Sequence, residues 1–264
     1  MPRAIWSGSI SFGLVNIPVK LYSAISEKSV RFNQIDRRNG ARIRQQRVNA
    51  ETGDEVPTDE IVKGFEVARG HYVQVTEEDL AGLAPRASRS IDLAAFVDLD
   101  EIDPVFFDGA YHVAPEKAPK AYALLVAAME KSHKVGIARF VMRSKEYVAV
   151  LRPKDGTLLL SMMVYADELV PATVIPEFEE LADIEVSDRE LLMADQLIES
   201  LSDRFEPESY RDTYREQLLD LIDRKSQGLD LTAELTPAPS GDTVIDLMAA
   251  LEASVAAARA ARSA

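Results

Sequence analysis

The chain has 264 residues, with 44 acidic against 30 basic side chains, a net charge of −14 and no cysteine. That length allows one large domain or two modest ones with ample chain for a core. The lack of cysteine excludes disulfides and thiolate metal sites and suits a reducing cytoplasm. Met1 to Leu14 lacks the continuous apolar core of a signal peptide, and nowhere is an apolar run long enough to span a bilayer, so we expect a soluble intracellular protein with no membrane partner. The first stretch, Ala4 to Tyr22, is rich in β-branched and aromatic residues and is expected to be a strand bent at Gly8 or Gly13. Gly8 to Gly13 has the glycine spacing of a phosphate loop, but Leu14 and Val15 stand where Lys and Ser or Thr are needed, which argues against nucleotide binding there.

Next comes the stretch on which the functional reading turns. Arg31 to Arg47 carries six arginines, Arg31, Arg37, Arg38, Arg42, Arg44 and Arg47, against the single acid Asp36. Asn39-Gly40 suits a two-residue type I′ turn, which predicts a hairpin with Arg37 opposite Arg42 and Ile35 opposite Arg44, and with Arg37, Arg42 and Arg44 on one side. Like charges directly opposite destabilise a ribbon that is already marginal by itself, so a polyanion such as a nucleic-acid backbone would make sense of it. A solvated surface hairpin accounts for this stretch equally well.

The middle of the chain is strand-rich. Tyr72 to Val75, Ile91 to Val97, Val105 to Phe107, Tyr111 to Val113, Val135 to Val141, Tyr147 to Leu151 and Leu158 to Val164 are predicted strands, with turns at Asp108-Gly109 and Asp155-Gly156. Thr76 and Asp79 open a short helix to about Leu83, and a second helix runs from Lys120 to about Lys131 with Leu124, Leu125, Ala128 and Met129 facing the sheet. Strands this short and frequent point to a barrel or sandwich. A second basic patch spans Lys131 to Lys154, where Lys131, Lys134, Arg139, Arg143, Lys145, Arg152 and Lys154 face only Glu146. Arg139 shares strand parity with Ile137 and Val141 and suits an ion pair as well as a phosphate.

After Glu168 the chain turns helical and acidic, with sixteen acids and six bases from Glu177 to Lys225. Ser187 with Glu190 forms a capping box for a helix to about Phe205, and a second helix covers Tyr214 to Lys225 before Gly228. A linker over 229–242 precedes a last helix opened by Thr243 and Asp246, whose stripe Val244, Leu247, Met248, Leu251 and Val255 is a candidate partner surface or packs on its own core.

No catalytic constellation is present. His71, His112 and His133 have no metal-ligand spacing, and Asp98, Asp100, Glu101 and Asp103 lack the glycine of a calcium loop and suit a solvated turn. A binding protein without cofactor or metal is expected, and an acidic scaffold or adaptor with incidental nucleic-acid affinity is the alternative.

The run Arg3-Ala4-Ile5-Trp6-Ser7-Gly8-Ser9-Ile10-Ser11-Phe12-Gly13-Leu14-Val15-Asn16-Ile17-Pro18-Val19-Lys20-Leu21-Tyr22 resembles the N-terminal signature of bacterial Ku proteins. The basic hairpin, Asp59 to Glu66, Tyr72-Val73, Thr76 to Leu80 and the late pattern Phe205, Pro207, Tyr210, Asp212, Tyr214, Leu218, Leu221, Ile222 and Lys225 extend the similarity to about Gly228. Many members of that family end in a lysine-rich tail, and this sequence does not. The resemblance implies a mixed α+β fold: a Ku-like β-barrel core over 1–175 with a basic DNA-encircling bridge over about 31–70, then an acidic helical arm over 176–228. It further implies a homodimeric, non-enzymatic ring that binds double-stranded DNA ends and recruits an ATP-dependent DNA ligase in non-homologous end joining, in a bacterial cytoplasm at the nucleoid. Arg37, Arg42 and Arg44 are the first candidates for backbone contact, followed by Arg38, Arg47, Arg139, Arg143, Lys20 and Lys154.

Overall fold

A computed structural model describes residues 2–83, 89–143 and 145–228. The linker, the last helix and its stripe, Val244, Leu247, Met248, Leu251 and Val255, lie outside the described residues. The chain divides into two compact units, one of residues 1–28 with 32–170 and one of residues 29–31 with 171–264.

The strands of the first unit are β1 Trp6–Phe12, β2 Val15–Ser23, β3 Lys63–Ala68, β4 His71–Val75, β5 Ser90–Asp98, β6 Phe107–Pro115, β7 Lys134–Met142, β8 Lys145–Lys154 and β9 Thr157–Met163. Seven of them close a barrel in the order β1-β2-β6-β9-β8-β7-β5, and β3 pairs only with β4. Every barrel pairing is antiparallel except β1 with β5, where Ile10 lies beside Ile91. Closure removes the exposed edges that an open sheet would offer to other chains. Ile10, Ile17, Val19, Leu21, Ile91, Phe140, Leu151, Leu158 and Leu160 fill the interior.

Two glycines decide how the first stretch folds. Instead of one bent strand there are two, because Gly13 takes φ 56° at the first of two loop positions while Leu14 stays at negative φ, the pattern of a II′ turn between Phe12 and Val15. Gly8 is fixed by space: a Cβ there would lie 2.2 Å from the Arg89 carbonyl oxygen and 2.2 Å from the Trp6 ring. That proximity lets Ser9 N–H donate to Arg89 O at 2.8 Å where β1 meets β5.

The helix α1 Glu77–Leu83 opens on the expected Thr76–Asp79 capping box, and α2 Pro119–Ser132 closes one barrel end. Its buried face is Tyr122, Leu125, Val126 and Met129, rotated from the expected one, so that Leu124 is 71% exposed. The Tyr122 hydroxyl donates to Val113 O and accepts from Leu158 N–H, both at 2.7 Å, joining β6 to β9 through the helix. Burial pushes the phenol pKa up, so this hydroxyl keeps its proton.

Two turn signals read differently in three dimensions. Asp155-Gly156, both at positive φ, forms the expected β8–β9 turn. Asp108-Gly109 lies inside β6 as a bulge between Phe107 and Ala110, because the strand continues on both sides. Val105-Phe106 belongs to a 3-10 turn, Pro104–Phe106, capped by Asp103, and Asp98 with Glu101 caps the turn before it, so these acids serve the backbone. In the second unit α3 Asp188–Leu201 opens on the Ser187–Glu190 box and stops short of the expected Phe205, and α4 Thr213–Ser226 is capped by Asp212. Among the described residues no helix is long and apolar enough to cross a membrane.

Gly8→Ala should cost about 1–3 kcal/mol in chemical denaturation through overpacking at the β1–β5 seam. Tyr122→Phe should cost about 1–3 kcal/mol by leaving Leu158 N–H and Val113 C=O unpaired. Wild-type stability in either variant would mean that the seam or the helix cap does not hold the barrel shut.

Candidate nucleic-acid interface

The strand directions sort the basic residues by barrel end. β2 finishes at Ser23 and β5 begins at Ser90 on either side of β1, at the end where Trp6 starts and β7 turns into β8. Residues 24–89 are therefore an arm inserted between these two roots. At the same end Trp6 Nε1 donates to Val141 O at 2.9 Å, and Trp6, Phe140 and Tyr147 stack with centroids 6.0 and 5.7 Å apart.

The arm begins with the basic hairpin, whose turn differs from the expected one. Ile35 pairs with Arg42, two residues out of the predicted register, and only Gly40 takes positive φ. Asp36 N–H donates to Ala41 O at 2.8 Å and Gly40 N–H donates to Asp36 O at 2.7 Å, enclosing a four-residue loop, Arg37 to Gly40. The physical reason lies in Asp36: its carboxylate accepts Arg38 N–H at 2.9 Å, an Asx turn that starts the loop earlier than Asn39-Gly40 would. This register also avoids placing Arg37 opposite Arg42. Arg42 and Arg44 still share a face by strand alternation, while Arg37 and Arg38 occupy the loop.

The same turn recurs thirteen positions on. Asn49 N–H donates to Asp54 O at 2.8 Å, Gly53 N–H donates to Asn49 O at 2.9 Å, and the Asn49 side chain accepts Glu51 N–H at 2.9 Å. The repeated spacing, Asp or Asn followed four residues later by Gly, is the sequence signal that identifies both turns.

Electrostatically the hairpin from Arg31 to Arg47 is unbalanced, although acids further along the arm offset it in total. Arg37, Arg42, Arg44 and Arg47 are exposed, and no ion pair joins them to an acid among the described residues. Arg38 is the exception, its Nη2 lying 2.7 Å from Asp36 Oδ2, and this guanidinium with its own N–H holds the Asp36 carboxyl below the usual carboxylate range. The arm is also apolar in an unusual way for exposed chain. Phe32, Ile35, Val48, Phe65, Val67 and Tyr72 are all more than half exposed, and every residue of β3 is exposed. The sequence reading missed these apolar residues, along with the role of Asp36.

The second basic stretch is contiguous in sequence and divided in space. Arg143, at φ 52° in the β7–β8 turn, and Lys145, whose Nζ lies 5.3 Å from the Tyr147 ring centroid, sit at the arm's end of the barrel. Arg139 is exposed midway along β7, with Asp92 as its β5 neighbour in register. Lys154 lies at the opposite end with Lys131 and Lys134, the last paired to Asp98 at 2.7 Å. Lys20 is half-buried and paired to Glu116 at 2.9 Å, which raises the lysine pKa and lowers that of the acid. The arm's end thus gathers Arg143 and Lys145 with the roots of the arginine-bearing arm, whereas Lys20 is engaged and Lys154 is remote from it.

Among the described residues no three His, Cys, Asp or Glu side chains come together as metal ligands. A groove of about 680 Å³ beside α2 is lined mainly by apolar groups such as Phe12, Phe96, Leu124 and Met129.

A family model described as the Ku70/Ku80 beta-barrel domain matches residues 11–193. A relative named non-homologous end joining protein Ku from Anaeromyxobacter sp. (strain K) is 48% identical over 98% of this chain and 87% of its own length. One from Saccharopolyspora erythraea is 45% identical over 98% of this chain and 80% of its own. One from Bacillus subtilis is 38% identical over 96% of this chain and 81% of its own. With the barrel, its inserted basic arm and relatives aligned over nearly all of its length, this chain belongs to the Ku family of non-homologous end joining proteins.

Proposed function

We propose that this chain binds the ends of double-stranded DNA without regard to sequence, as a homodimeric ring that protects and bridges breaks in non-homologous end joining. The observation that carries this reading is the set of exposed arginines without ion pairs, Arg37, Arg42, Arg44 and Arg47, on an arm rooted at the barrel end that also bears Arg143 and Lys145. Guanidinium groups held on backbone scaffolding neutralise phosphates, and phosphate contacts position a protein without reading base edges. The dimer is supported by the arm's exposed apolar residues: Phe65, Val67 and Tyr72 need a covering surface, and a second copy supplies the same patch by symmetry. Two arms closing on each other would make a ring that duplex enters from a free end.

The ring reading expects linear duplex, but not covalently closed circles, to compete for labelled linear DNA. Equal competition by circles would leave an open basic surface instead. If six phosphates are neutralised, the log–log salt slope should be about −5, and a slope near zero would sink the electrostatic account. Replacing Arg37 and Arg42 by Ala should weaken binding equally on unrelated sequences. Phe65→Glu should shift the sedimentation coefficient from dimer to monomer and lower end affinity with it, while a wild-type dimer in this variant would rule out the arm as interface.

Recruitment of an ATP-dependent DNA ligase is proposed for the stripe Val244, Leu247, Met248, Leu251 and Val255. Leu247→Glu with Leu251→Glu should abolish stimulation of ligation and leave DNA binding unchanged; undiminished stimulation would place the ligase contact elsewhere.

A further inference from the structure

Asp36 has two separable roles at the arm's tip, and the chain contains the means to tell them apart. Its Oδ1 accepts Arg38 N–H and so builds the Asx turn. Its two oxygens also hold the Arg38 side chain, with Nε at 3.1 and 3.2 Å and Nη2 at 2.7 Å. The second turn, at Asn49, has the same backbone hydrogen bonds, the same side-chain acceptance of the N–H two residues on at 2.9 Å, and a glycine at φ 77° against 71°. An amide therefore suffices for the turn. The charge at position 36 is not needed for shape, and the partner it engages is Arg38.

We infer that Asp36 acts as an affinity-limiting residue of the arm, withdrawing Arg38 from the arginines available to phosphate. This rests on the DNA-binding reading above and deepens it. Asp36 is the single acid from Arg31 to Arg47, and it directly precedes the loop arginines Arg37 and Arg38 and pairs across the hairpin with Ala41, next to Arg42. Two arrangements are open to the bound state, and both restrain affinity. If Arg38 keeps its carboxylate, it releases no counterion from the DNA. If Arg38 turns to a phosphate, the Asp36 carboxylate is left unpaired beside a polyanion. The Arg38 side chain is 89% exposed and the Asp36 side chain 24%, so the acid is seated in the turn and the arginine is the mobile member of the pair. A protein that encircles duplex and moves along it is served by a phosphate grip below the maximum its arginines allow.

The test uses the full chain as wild type, Asp36→Asn, Arg38→Ala and the double variant, with equilibrium binding to one linear duplex followed across salt. Asp36→Asn retains the turn as Asn49 does. It should bind several-fold tighter at moderate salt, with a log–log slope steeper than wild type by about 0.9, the increment for one added phosphate contact. Adding Arg38→Ala to Asp36→Asn should return the slope to the wild-type value, because the freed guanidinium is then gone. An unchanged slope in Asp36→Asn, with the wild-type slope steep, would overturn the role given to Asp36 and leave the DNA reading standing. A gain that survives in the double variant would also overturn it, assigning the effect to bulk charge. A flat wild-type slope would remove the DNA reading and this inference together.

Discussion

The seam between β1 and β5 is the constraint on which the rest of the first unit depends. It is the barrel's only parallel pairing, and it involves just three residue pairs, Ser9 to Ser11 against Ser90 to Asp92. Seven strands joined antiparallel would otherwise remain an open sheet with two free edges. The seam also determines where the arm can be. Because β1 lies between β2 and β5, the chain leaving β2 at Ser23 and the chain entering β5 at Ser90 flank a single strand, and the 66 residues between them must depart from and return to one barrel end. The absence of a side chain at Gly8, where the Arg89 carbonyl approaches, is thus tied to the placement of arginines far along the sequence.

The arm itself is held differently from the barrel. Its backbone pairing beyond β3 and β4 consists of the isolated bridges Ile35 to Arg42 and Val48 to Glu55 and the hydrogen bonds around the two Asx turns. None of its described side chains is buried. Local turn chemistry fixes the loops, but two-stranded ribbons of this kind are marginal in water without a further surface. Exposed apolar residues and arginines without ion pairs among the described residues thus occur on the same stretch of chain. The arm's weak internal stabilisation and its exposed apolar and cationic surface are two aspects of one composition.

Much of this was legible in the sequence. The capping boxes at Thr76 and Ser187, the turn at Asp155-Gly156 and the barrel's strand spacing follow from local chemistry that tertiary contacts did not override. The family resemblance carried by Arg3 to Tyr22 agrees with the family match. What was misread has a common cause, namely competition between signals that look alike in one dimension. Asn39-Gly40 lost to Asp36, whose Asx turn begins the loop two residues earlier. Asp108-Gly109 became a bulge because strand pairing resumes after it. The Lys131 to Lys154 patch reads as one feature only along the chain, since the β7–β8 hairpin carries its turn, with Arg143 and Lys145, to one end of the barrel and brings Lys131, Lys134 and Lys154 together at the other. Periodicity placed the helix α2 but not its buried face, because Tyr122 with two hydrogen bonds outcompeted Leu124 for the interior.

The acidity of the whole chain is compatible with a phosphate-binding arm once distance is considered. Charges separated by more than about 8 Å at physiological ionic strength are largely screened, so a duplex near the hairpin responds to the five-charge excess of Arg31 to Arg47 rather than to the total of −14. Much of the acidic excess lies elsewhere in the sequence, with sixteen acids against six bases from Glu177 to Lys225. A uniformly basic protein would bind intact DNA along its length through any face. An excess of arginine confined to one hairpin, in a chain that is acidic in total, gives a local attraction for anions that the net charge conceals.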